Sequence, residues 1–174
     1  MGRVTSFSVV ALVAVGGCAV SHAQVAQGRE SVAIWQTLTA GPADVPMRAG
    51  IATPFAIVAF DKAAFDTVMH SVGLDSDPSA SSVVIELPLP DGTFERFRVK
   101  ESPTLAPELA KAFPEIKTYA GQGIDDPAAT TRFGWTEAGF HAIILTGTRG
   151  NVFIDTWAPS TQGVYISYRP ARLD

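Results

Sequence analysis

From Thr131 to Tyr168 the chain alternates four short apolar or β-branched runs with three short connections containing Gly, Asn or Pro. Thr131 to Trp135, Phe140 to Leu145, Val152 to Trp157 and Val164 to Tyr168 read as strands, and Thr136-Glu137-Ala138-Gly139 and Gly147 to Asn151 read as turns between them. Connections this short cannot carry a crossover, so neighbours in the run must be antiparallel. This meander constrains the fold more than any other feature of the sequence.

A second antiparallel unit precedes it. Val83, Ile85, Leu87 and Leu89 alternate with Val84, Glu86 and Pro88, the pattern of a half-buried strand in which proline argues for an edge or a bulge. Pro90-Asp91-Gly92 turns the chain, and Thr93 to Val99 returns with Glu95, Phe97 and Val99 on one face and Phe94, Arg96 and Arg98 on the other. Phe55 to Phe60 is an apolar run suited to a buried strand and leads into a helix capped by Asp61. In that helix Phe65, Val68, Met69 and Val72 make one apolar face before Gly73. Thr104 to Phe113 reads as a second helix with Leu105, Leu109 and Phe113 at four-residue spacing, closed by Pro114.

These elements predict an α+β, mainly β domain over residues 54–170: a curved antiparallel sheet of about six or seven strands, hairpin plus meander, with two short helices. Residues 24–53, with Gly41-Pro42, Pro46 and Gly50, predict a loosely ordered lead-in with one strand around Val32 to Thr37.

The N-terminus predicts export. Arg3 precedes an apolar stretch from Phe7 to Val15, and Ser21-His22-Ala23 is a small-x-small cleavage site, so residues 1–23 read as a signal peptide and the mature protein as secreted or periplasmic. The stretch is short of the roughly 20 apolar residues that span a bilayer. Val15-Gly16-Gly17-Cys18 offers an alternative, a lipoprotein anchored through Cys18. Cys18 is the only cysteine, so cleavage after Ala23 removes every thiol, and with it disulfides, a thiol nucleophile and thiolate metal ligands. The formal net charge of −4 gives no invitation to nucleic acid.

Residues that could carry chemistry are scattered. His70 and His141 lie in a helix and a strand, without the spacing of a zinc site, and the third histidine, His22, falls in the signal. No Gly-x-Ser-x-Gly elbow activates a serine. The stretch FPEIKTYAGQGIDDP, residues 113–127, offers Gly121-Gln122-Gly123, too short for a dinucleotide fingerprint and read instead as glycines adopting unusual backbone angles in a joint between helix and sheet. Asp125-Asp126-Pro127 reads as an Asx turn in preference to a calcium site, for which the neighbours supply too few oxygens. Glu86, Glu95 and Glu108 sit on separate elements and form no visible catalytic pair. No metal, cofactor or catalytic residue is predicted. Phe94, Tyr119, Trp135, Trp157, Tyr165 and Tyr168 read mostly as core, with one or two beside Arg96 and Arg98 available to a protein partner.

The run LPLPDGTFERFRVKESPTLAPELAKAFPEIKTYAGQGIDDPAATTRF, followed by GFHAIIL, NVFIDTW and YISYRP, resembles the region after the signal peptide in bacterial secreted zinc metallopeptidases of the reprolysin-like (adamalysin-related) class. The resemblance covers residues 55–170 and is most specific from Leu87 to Pro127. It implies an N-terminal propeptide, a non-catalytic domain that assists folding of, or restrains, a reprolysin-like catalytic domain in cis or in trans. The family's His-Glu-x-x-His-x-x-Gly-x-x-His motif has no counterpart in this sequence, so no zinc ligand carries over, and neither does a cysteine switch. Arg96, Arg98, Tyr119 and Asp126 are the positions expected to reach such a partner. The alternative expectation is a free-standing secreted protein-binding module; an enzyme in its own right has the least support.

Overall fold

The computed structural model describes residues 33–159 and 161–171; the signal segment, Cys18 and His22 lie outside them. Among the described residues nine strands form one antiparallel sheet. They are β1 (Trp35–Leu38), β2 (Ile51–Phe60), β3 (Val83–Pro88), β4 (Phe94–Glu101), β5 (Lys117–Gly123), β6 (Thr130–Thr136), β7 (Gly139–Leu145), β8 (Val152–Thr156) and β9 (Val164–Pro170), with helices α1 (Lys62–Met69) and α2 (Pro107–Ala112). The order across the sheet is β1-β2-β9-β8-β7-β6-β5-β4-β3.

The sheet curls until β1 and β3 come close and the cylinder is nearly closed. Curling is enforced from inside: the inward residues of each strand pack with α1 into one core that includes Phe60, Phe65, Phe97, Phe133, Phe140 and Tyr165. Aromatics with tilted and edge-to-face contacts fill such a cylinder, for example Phe65 against Phe140 at 5.9 Å and 80°. Within this interior Ser167 Oγ of β9 donates to Pro88 O of β3 (2.7 Å), which joins strands far apart in sheet order. Helix α1 starts where Asp61 accepts from the Ala64 N–H, and it buries Phe65 and Met69 while Val68 and Val72 pack at the margin.

Three expectations are corrected. The sheet has nine strands, not six or seven: the strand expected around Val32 to Thr37 forms as β1 and pairs with β2 through Trp35 and Phe60, and β5 is the strand that was not expected. Residues 33–53 are also more ordered into the fold than a loose lead-in, since β2 begins at Ile51 and Val45 and Met47 cover a second, outer core of Trp157, Ala158 and Ile166. Trp157 Nε1 donates to Val45 O (2.9 Å), and Gly41 lies so close to the Trp157 ring that a side chain would collide with it. The second helix is shorter than expected and buries none of its residues; Leu109 and Phe113 remain exposed.

The third correction concerns residues 113–127. They are not a joint: Lys117–Gly123 is the interior strand β5, paired with β4 and β6. Neither Gly121 nor Gly123 has a positive φ. Gly121 is required by space, because a Cβ there would stand 2.7 Å from Val99 Cγ1 and 2.8 Å from Thr131 Cγ2.

Candidate functional site

Three polar clusters stand on this frame. The first closes one end of the cylinder. Glu95 points inward from β4, as its alternation with Phe97 and Val99 requires, and is 3% exposed. A carboxylate so buried needs a partner, and Arg149 of the β7–β8 turn supplies it: Arg149 Nη2 donates to Glu95 at 3.1 Å and to Asp126 at 2.8 Å. Next to it, Arg96 grips Asp125 with Nε and Nη2 (3.0 and 2.5 Å), and the Arg96 N–H donates to the same carboxylate (2.8 Å). The Arg96 hydrogen bonds hold the Asp125 carboxyl below the usual range, and the Arg149 hydrogen bond does the same for Asp126. Asp126 also accepts from the Ala128 N–H (3.0 Å), the Asx turn that its place before Pro127 predicts. The adjacent aspartates thus bind two different arginines and tie β4, the β5–β6 loop and the β7–β8 turn together.

The second cluster lies on the outer face of β7, β8 and β9. Asp155 accepts from His141 Nδ1 (2.7 Å) and Tyr168 Oη (2.8 Å) and forms an ion pair with Arg48 Nη1 (3.0 Å), whose guanidinium also sits 5.8 Å from the Tyr168 ring centroid. Burial pushes the Asp155 carboxyl up, but the bonds from His141 and Tyr168 and the Arg48 charge outweigh it and leave the group below its usual range. This holds two of the three members of a nucleophilic triad, an acid orienting a histidine. Among the described residues the other ring nitrogen of His141 has no hydrogen-bond partner, and a nucleophile in that position is what the triad chemistry would need. Sequence spacing gave no sign of this cluster, because its members come from three strands and the 41–48 segment; the period-two alternation of β7 to β9 does place all three strand residues on one face.

The third is the outer face of β4, β5 and β6, where Arg98, Lys100 and Arg132 border a shallow groove. Arg98 is exposed and makes no ion pair or hydrogen bond among the described residues.

Of the residues expected to reach a partner, the structure brings Arg96 and Asp126 into the first cluster and places Arg98 and Tyr119 apart from them, on the outer and inner faces of the sheet. Arg98 faces solvent; Arg96 and Asp126 reach the surface but are bound to Asp125 and Arg149. Tyr119 is a correction. It is 4% exposed and stacked on Phe133 at 5.1 Å and 20°, and burial raises its hydroxyl to about 12. Its parity decides this, since residues 119, 121 and 123 share the inner face of β5.

Among the described residues no three potential ligands converge on a metal position, and no helix is long and apolar enough to cross a membrane. The fold and these clusters define a mainly β, single-sheet domain with ion-pair clusters on its rim and outer face. No family model, curated protein or solved structure matches the chain.

Proposed function

We propose that this chain is a secreted, non-catalytic, protein-binding domain of the propeptide type, which assists folding of, or restrains, a reprolysin-like zinc metallopeptidase. The observation that carries the reading is the outer face beside the stretch of strongest resemblance: in β4 and the β5–β6 loop Glu95, Glu101, Asp125 and Asp126 are drawn into internal ion pairs, while Arg98 of β4 and Val84 of β3 stay open to solvent, Val84 at 49%. An exposed apolar residue beside an unpaired arginine is the composition of a protein-binding surface. Binding to the native catalytic domain in preference to its unfolded chain would stabilise it by mass action, and covering its cleft would restrain it.

The test is a pull-down of a reprolysin-like catalytic domain on the purified chain, followed by peptidase assays across a range of chain concentrations. Saturable binding with falling activity identifies a restraining propeptide. Binding with unchanged activity identifies a folding assistant. Absence of binding overturns the reading and leaves a free-standing binding module for another partner.

A further inference from the structure

The groove on the outer face has a more specific shape than a general contact surface. In the register of the sheet, Val84 stands opposite Arg98, Arg98 opposite Gln122, Gln122 opposite Thr130 and Thr130 opposite Leu145. These five residues form one row across β3, β4, β5, β6 and β7. Its ends are apolar and exposed, Val84 at 49% and Leu145 at 43%. Its middle is polar, and the next row sets Lys100 and Arg132 on either side of Ala120, whose small side chain leaves the floor low between two cations.

Among the described residues none of the three cations forms an ion pair, while the Lys100 charge also acts on the Asp77 carboxylate beside the groove. Lys100 Nζ donates to the carbonyls of Asp77 (2.8 Å) and Pro78 (3.5 Å), which also pins the 75–82 loop along the groove. Arg132 Nη1 reaches only a serine hydroxyl, Ser102 Oγ, at 3.5 Å. Gln122 Nε2 donates to Pro127 O and Ala129 O, so the amide is fixed as well. One carboxylate, Asp75, lines the groove against three cations. In a chain of net charge −4 this is a local reversal of sign.

We infer that this groove binds an extended acidic segment of a partner protein, with carboxylates at its centre and an apolar residue at each end. The inference rests on the protein-binding reading above and names the chemistry of the partner. Four strand spacings separate Val84 from Leu145, about 19 Å at about 4.8 Å each, about six steps of an extended chain, so that the first and seventh residues of a segment reach both ends and share one face. Central carboxylates meet Arg98 and Arg132, each of which can donate two parallel hydrogen bonds to a carboxylate; the ends rest on Val84 and Leu145. Three cations beside one carboxylate are too few for the many phosphate contacts on which nucleic-acid affinity depends.

A fluorescein-labelled heptapeptide, LSESESL in one-letter code, whose leucines and glutamates share one face of an extended chain, titrated with the full chain and followed by anisotropy, tests this directly. Saturable binding is expected, weakened at least about tenfold in LSQSQSL, in the double variant Arg98→Ala/Arg132→Ala, and by a rise in salt from about 0.05 to about 0.5 M. Lys111→Ala, a charge removed from α2 outside the groove, should leave binding unchanged. Both arginines are exposed, so the double variant should keep the thermal unfolding midpoint of the parent. No binding, equal binding by the double variant, or tighter binding of an oligothymidylate of matched charge would each overturn the inference. The probe contains no peptidase, so a failed peptidase pull-down with intact peptide binding removes only the partner class, and the reverse removes only the groove.

Discussion

Asp155 shows how a single residue joins two parts of this molecule. Its carboxylate binds His141 and Tyr168 on neighbouring strands and Arg48 from the segment that crosses the outer face. Because its folded pKa lies below the ordinary value of 3.8, its contribution is fully present above that pH and is lost as pH falls through the depressed value. Asp155→Asn should therefore destabilise the chain by about 1–2 kcal/mol near neutrality, with the difference from the parent shrinking below about pH 4. Chemical denaturation at pH 7 and pH 3 measures both; a deficit that is constant across that range would contradict the assignment. Sequence alone gave the identity of His141 and its strand, but not its acid, since a dyad built across strands leaves no spacing to read.

At the scale of elements, β5 is the instructive case. Two glycines in three residues resemble a turn, and the alternation that marks a strand is muted because two of its inward positions carry no side chain. The signal was the position of Tyr119 two and four residues before them, on the same face. Gly121→Ala should cost about 1–3 kcal/mol through overpacking against Val99 and Thr131, read from the denaturation midpoint; a neutral result would mean that the neighbours yield. Helix α2 errs in the other direction. Its leucine and phenylalanine spacing looks like a buried face, yet Leu109 is 49% exposed. Leu109→Gln should shift stability by less than about 0.5 kcal/mol, and a larger loss would place that side chain in a contact. The hairpin β3–β4 and the meander β6–β9 were legible, because tight turns and strict alternation are local properties.

The whole molecule depends on long-range closure, which periodicity does not report. Inner aromatics hold the cylinder from within, while Trp157 anchors residues 41–48 over the outside. A segment rich in Gly and Pro carries no pattern of its own, so its place over Ile166 and Trp157 could not be read before the sheet it covers was known. Trp157→Ala should cost about 3–5 kcal/mol and expose the 41–48 segment to limited proteolysis; a stable, protease-resistant variant would show that the outer core contributes little.

We propose that the open face of β3 to β7 binds a reprolysin-like catalytic domain. Calorimetric titration of a reprolysin-like catalytic domain with the parent chain and with Arg98→Glu tests it most directly. The account predicts saturable binding by the parent and a loss of at least about tenfold on charge reversal, as expected for an exposed cation meeting a carboxylate. Absence of binding by the parent, or equal affinity in the two proteins, would contradict it.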